Sequence, residues 1–273
     1  MCTDNPIQIN LQAVLTQKLG TKARWIPRWL VSRLQRTICQ DELNRLLRDN
    51  HPATGANFCK GVLKDLNISV TEKGTVNLPA SPRFILVSNH PLGGLDGMAL
   101  ISLLKQHYGI EPLFIVNDIL MAVEPLRCSF LPINKHGAQS RDTLMRIHQA
   151  MKSDTPIIIF PAGLVSRRGK GGLIRDLQWH KMFIQMAHRY HRDIVPAHFS
   201  GHNSDSFYKL AQRRKRIGIP FNIEMIYLPR EVIQSAGKTY AVTYGLPIPW
   251  TALNPGPEAA AQAEEIKKTV YAL

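Results

Sequence analysis

From residue 84 onward, short apolar runs alternate with longer stretches of helical period. The runs at 84–88, 113–116, 157–160, 194–198, 222–227 and 240–244 have the length and branched side chains of buried strands. Between them, 97–107, 140–152, 177–191 and 205–216 carry apolar positions three to four residues apart, and 257–272, rich in Ala and Glu, reads as a final helix. Such alternation predicts an α/β fold, a mainly parallel (mixed) sheet covered by helices, with the late strands pairing antiparallel. Upstream the pattern is helical. Ile7, Leu11, Val14 and Leu15 share one face, Gly20 breaks the helix, and Pro27 suits the first turn of a second helix carrying Trp29, Leu30, Leu34 and Ile38. Residues 55–66 read as another helix. Ile68–Val70 and Val76–Leu78 flank a turn at Glu72-Lys73-Gly74 and predict a hairpin. The chain therefore divides into an N-terminal amphipathic helical segment, 1–78, and an α/β domain, 79–273.

The apolar run from Phe84 to Val87 leads into Asn89-His90-Pro91-Leu92-Gly93-Gly94-Leu95-Asp96-Gly97. A buried strand ending there delivers Asn89 and His90 to the rim of a sheet, where ligands bind in α/β folds. His90 can titrate near neutral pH, and Asp96 can hold its ring in one tautomer. If 90–96 were helical, six steps of about 100° would set the two side chains about 120° apart. A non-helical turn is needed, and Gly93 and Gly94 allow one. A base with an orienting carboxylate and no adjacent nucleophile points to activation of a substrate hydroxyl. The alternative for these residues alone is a strand-to-helix loop whose Asp caps the helix.

Three further blocks follow in order: Phe130-Leu131-Pro132-Ile133-Asn134-Lys135, Phe160-Pro161-Ala162-Gly163-Leu164-Val165-Ser166 and Ile194-Val195-Pro196-Ala197. Together with the first, they resemble the glycerolipid acyltransferase family across residues 80–250. The five residues between His90 and Asp96, where the family usually has four, and the Pro and paired Gly among them are similar to a haemolysin-like bacterial subgroup. Members of that subgroup acylate lyso-lipids, including lyso-amino-acid lipids. The resemblance implies that His90 and Asp96 are catalytic. It implies that Asn89, Gly93, Gly94, Lys135, His136, Gly163, Ser166, Arg167 and Arg168 bind substrate, with backbone N–H groups near Gly93, Gly94 or Gly163 meeting the oxyanion. It also implies an acyl thioester as co-substrate, on acyl carrier protein or CoA, a lyso-lipid acceptor, and neither a metal nor a cofactor. Ala162 and Val165 stand where the wider family has a Glu and an Arg that help hold glycerol phosphate, which puts that acceptor in doubt. Arg167 and Arg168 supply charge from a shifted position, and Lys135 keeps the charge of an Arg without its fork. The alternatives are a 1-acylglycerol-3-phosphate acyltransferase of phospholipid synthesis and a non-enzymatic lipid- or nucleic-acid-binding protein.

Composition changes this picture in one respect. Against 20 acidic residues the chain has 34 Lys and Arg, a formal net charge of +14. Such a field favours polyanions: nucleic acid, an anionic membrane surface or an acidic protein. No helix-turn-helix, zinc-finger or RNA-recognition pattern is present, so nucleic acid is not expected. Trp25 and Trp29, among Lys18, Lys22, Arg24, Arg28, Arg33 and Arg36, are what an interfacial helix uses. Four scattered cysteines form no Cys-x-x-Cys pair and suit a reducing compartment. Without a signal peptide pattern or a long apolar stretch, the expectation is a cytoplasmic protein, peripheral on the inner face of the membrane.

Overall fold

The computed structural model describes residues 8–20, 25–133 and 140–273. The described residues begin with four helices: α1 (Leu11–Leu19), α2 (Arg28–Thr37), α3 (Gln40–Asp49) and α4 (Gly55–Asp65). There follow β1 (Ser69–Lys73), β2 (Phe84–Ser88), α5 (Gly94–Tyr108), β3 (Leu113–Asn117), β4 (Phe130–Ile133), α6 (Arg141–Lys152) and β5 (Ile157–Ile159). The small pair β6 (Arg167–Arg168) and β7 (Ile174–Arg175) precedes α7 (Met182–Tyr190), β8 (Asp193–Phe199), α8 (Asp205–Arg216), α9 (Leu228–Ile233), β9 (Thr239–Tyr244) and α10 (Ala259–Val270).

Seven strands form one sheet in the order β1-β9-β8-β2-β5-β3-β4. β8, β2, β5, β3 and β4 are parallel, and β9 joins β8 antiparallel and carries β1 parallel to itself. The period of two sorts side chains between the faces. Phe84 and Leu86 of β2 pack in one core cluster with residues of α3, α4 and α5, while Ile85 and Val87 pack in the other with residues of α6, α7 and α10. Every residue of β2 is buried, which is why the strand reads as an unbroken apolar run.

Three expectations fail locally. Residues 75–77 form a 3₁₀ turn, so there is no hairpin; β1 instead pairs with β9, Ser69 opposite Thr239. The expected strand at 222–227 is a 3₁₀ segment, Ile223–Tyr227. β4, with Pro132 in it, was not expected as a strand; it is tolerated because β4 is the sheet edge. β1 belongs to the main sheet, and Leu46, Phe58, Cys59 and Leu63 share a core with Leu86 and Leu95. Among the described residues no helix is long and apolar enough to cross a membrane.

Candidate active site

β2 lies inside the parallel part of the sheet, and its C-terminal end hands the chain to residues 89–93 before α5 begins at Gly94. Gly93 has φ 87° and ψ −104°, a conformation open to glycine. A Cβ there would also lie 2.9 Å from a methyl of Leu228 on α9. This turn carries the chain back so that Asp96, in the first turn of α5, meets His90: Nδ1 lies 3.0 Å from Asp96 Oδ2. Asp96 is fully buried, and its oxygens accept two backbone N–H groups, Leu92 at Oδ2 and Gly97 at Oδ1, each at 2.9 Å. The carboxylate is thus anchored on three sides before it orients the ring. With Nδ1 protonated toward Asp96, Nε2 carries the lone pair. It has no hydrogen-bond partner among the described residues, and the His90 side chain stays 15% exposed.

The ring is also held flat. It stacks on Phe160, just past β5, with centroids 4.0 Å apart at 22°. Phe160 in turn meets Phe114 of β3 edge-on at 5.1 Å. Neighbouring strand ends therefore support one imidazole.

Its main chain is fixed from below. The His90 N–H donates to Asp176 Oδ1 at 3.2 Å, and the His90 carbonyl accepts the Ser166 N–H at 2.7 Å and the Ser166 hydroxyl at 3.2 Å. The same hydroxyl reaches Asp176 Oδ1 at 2.5 Å, while Trp179 Nε1 donates to Asp176 Oδ2 at 3.0 Å. Tyr271, at the far end of the chain, accepts the Asp176 N–H at 2.7 Å. Asp176, Trp179 and Tyr271 were not singled out from sequence. They fall outside the four blocks, and only the fold brings them to His90.

The expected substrate-binding residues divide. Gly93 and Gly94 form the turn and the uncapped start of α5. Asn89 instead faces inward: its amide bridges the backbone of Phe199, accepting at 2.7 Å and donating at 2.9 Å, which ties β2 to β8. Ser166 is buried and spent on His90 and Asp176. The Gly163 N–H closes a turn onto the Phe160 carbonyl at 2.9 Å. Arg167 is buried, donating to the Val165 carbonyl at 2.9 Å and to Glu224 at 3.0 Å; Arg214 holds the other oxygen of Glu224 at 2.8 Å. Burial pulls the Arg167 guanidinium below its usual range despite that partner. Arg168 pairs with Asp205 and lies 5.0 Å above the Tyr208 ring. Lys135 and His136 lie outside the described residues. Ala162 and Val165 are both buried, so the third block presents no charge at either position.

Comparison with known proteins places the chain. The model of the acyltransferase family matches residues 13–273. The lyso-glycine lipid O-acyltransferase of Phocaeicola vulgatus is 43% identical over 273 residues, which cover 100% of this chain and 98% of that protein. The lyso-glycine lipid O-acyltransferase of Bacteroides thetaiotaomicron is 41% identical over 273 residues, 100% of both chains. The crystal structure of the 1-acyl-sn-glycerophosphate acyltransferase PlsC from Thermotoga maritima aligns over 96% of this chain and 95% of that one, with a TM-score of 0.47 and 17% identity. A match over nearly the whole chain and two full-length relatives above 40% identity lead to one conclusion: this protein belongs to the acyltransferase family.

Proposed function

We propose that this protein transfers a fatty acyl group from an acyl thioester, on acyl carrier protein or CoA, to the hydroxyl of a lyso-amino-acid lipid. The observation that carries the reading is the His90–Asp96 pair at 3.0 Å, at the C-terminal edge of the sheet, with Nε2 unpartnered among the described residues. Nε2 takes the proton of the acceptor hydroxyl as its oxygen attacks the thioester carbonyl. Asp96 stabilises the imidazolium that forms. The tetrahedral intermediate then collapses: the carbon–sulfur bond breaks, the thiolate takes the proton back from His90, and an ester is left on the acceptor. Backbone N–H groups at the uncapped start of α5, around Gly93 and Gly94, are the donors for the oxyanion. Gly163 is the weaker candidate, because its N–H already donates within a turn.

The acceptor follows from charge. A phosphomonoester calls for unpaired cations at its seat. Among the described residues of the third block, Ala162 and Val165 offer none, Arg167 is committed to Glu224, and Arg168 to Asp205; Lys135 and His136 lie outside the described residues. The described third block favours a head group without a phosphomonoester, and both full-length relatives are named for lyso-glycine lipid. The test is the ratio of kcat/KM for lyso-glycine lipid and for lysophosphatidate with one common donor. The expected ratio favours lyso-glycine lipid by at least about 100-fold, the scale at which a hydrogen-bonded site rejects a wrong head group. A ratio favouring lysophosphatidate would restore the phospholipid reading. No transfer to any lyso-lipid would leave a binding protein.

A further inference from the structure

We propose that Asp176 is a positioning residue for the reaction, acting through the main chain of His90. The inference rests on His90 being the base, as argued above. A side chain at a strand end is aimed by two things, its own χ angles and the peptide that carries it. Asp96 and Phe160 fix the ring. The peptide lies beyond the last residue of β2, past the sheet ladder that would otherwise hold it. Asp176 replaces that ladder: its Oδ1 accepts the His90 N–H and the Ser166 hydroxyl, while the Ser166 N–H donates to the His90 carbonyl at 2.7 Å. The backbone is therefore held on both sides of the His90 Cα.

The clamp is itself anchored by parts of the chain remote from the first block. Trp179, buried against Phe183 at the start of α7, donates its indole N–H to Asp176 Oδ2. Tyr271, following α10, takes the Asp176 N–H, and its phenol pKa is driven upward by burial and by Asp176. One buried carboxylate with three side-chain and backbone donors is held more rigidly than a loop peptide bonded to water. A misplacement of about 1 Å at a reacting group can cost about 100-fold in rate. The clamp is therefore worth that order of magnitude in kcat while leaving substrate binding nearly untouched.

The experiment uses the full chain and four variants, His90→Ala, Asp176→Ala, Asp176→Asn and the double variant His90→Ala/Asp176→Ala, with an acyl thioester and lyso-glycine lipid. Far-UV circular dichroism and Tm establish folding. The expected result is that Asp176→Ala lowers kcat by about 30–100-fold with both KM values within about threefold. Asp176→Asn, which keeps one oxygen for the His90 N–H, restores at least about a third of the lost decades. In the His90→Ala background, removing Asp176 has no further effect on the residual rate, because a residue that acts through His90 has nothing left to position. A folded Asp176→Ala enzyme with unchanged kcat overturns the inference. So does a rise in KM at constant kcat, or an Asp176 effect that persists undiminished without His90. If Asp176→Ala does not fold, Asp176→Asn decides by the same split of kcat and KM. A fully active His90→Ala variant would sink the functional reading instead, so the two failures are distinguishable.

Discussion

Exchanging Asp96 for Asn tests the pair that the mechanism depends on. The carboxylate has three ligands: His90 Nδ1 and the Leu92 N–H on Oδ2, and the Gly97 N–H on Oδ1. An amide has one oxygen. If that oxygen keeps a backbone N–H, the NH2 group faces His90 and donates to Nδ1. The imidazole must then place its proton on Nε2, and the lone pair that should accept the acceptor's proton is gone. If the oxygen faces His90 instead, the tautomer survives, but a backbone N–H at the start of α5 meets an NH2 group and the imidazolium loses its counter-charge in a buried site. Either arrangement removes most of the general base. Such a base contributes about 10²–10⁴ in rate, equivalent to about 2.7–5.4 kcal/mol at about 1.36 kcal/mol per decade. The same exchange in a Ser–His–Asp triad costs about 10⁴. The assay is initial release of free thiol from the donor, with lyso-glycine lipid saturating, alongside Tm. The expected outcome is a kcat at least about 100-fold lower with a small change in KM. A folded Asp96→Asn enzyme within about threefold of the parent rate would mean that the 3.0 Å contact does not tune the base, and the mechanism would have to be abandoned.

Three other expectations can be checked separately. Gly93→Ala should destabilise, since its φ of 87° costs a side chain about 1–3 kcal/mol and the new methyl meets Leu228. The loss should be a few degrees in Tm, at about 2–4 °C per kcal/mol for a chain of this size, with Leu228→Ala recovering part; an unchanged Tm would discount both causes. Trp25 and Trp29 are 87% and 67% exposed beside exposed Arg28, Arg33 and Arg36. Replacing both with Ser should weaken binding to anionic vesicles by about 10–30-fold, at about 1 kcal/mol per half-buried ring, and equal co-sedimentation of the two proteins would remove this segment from a membrane role. Burial lowers the pKa of His198, with Asp176 opposing. The unfolded chain therefore binds a proton on acidification before the folded chain does, and stability should fall as pH drops through the ordinary imidazole range; a His198→Gln variant should lose less Tm between pH 7 and pH 5, and parallel curves would show that His198 does not contribute.

What the sequence disclosed and what it hid follow from the range of the forces. β2 was legible because both faces are buried, and the turn at Gly93 was legible because His90 and Asp96 cannot meet across a helix. The hairpin at 68–78 was a reasonable local reading, yet β1 finds its partner 170 residues later in β9, and no local pattern announces that. Residues 222–227 carry a strand-like composition, but Glu224 is drawn inward between Arg167 and Arg214, and the backbone follows it into a 3₁₀ turn. The clamp on His90 is the extreme case. Its bonds join residues 86, 76 and 95 positions apart, so the residues can be named only when the fold is known.

The basic charge of the chain can now be divided by location. Around the third block it is neutralised internally: Arg167 and Arg214 share Glu224, and Arg168 pairs with Asp205. Placing Arg167, Arg214 and Glu224 out of water is costly unless each is paired, so these partners are a condition of the fold rather than a reserve of charge for a ligand, whereas the Arg168–Asp205 pair lies at the surface. On the surface, Arg213, Lys215 and Arg216 are exposed at the end of α8 beside the exposed side chains of Ile217 and Phe221, as are the arginines of α2 beside Trp29, and none of them has an ion pair among the described residues. Charge that is exposed acts at a distance and is screened by salt, whereas charge that is buried and paired does neither. The exposed part of the +14 total is thus a surface field of the kind that favours encounter with polyanions, while the paired arginines of the third block add little to it.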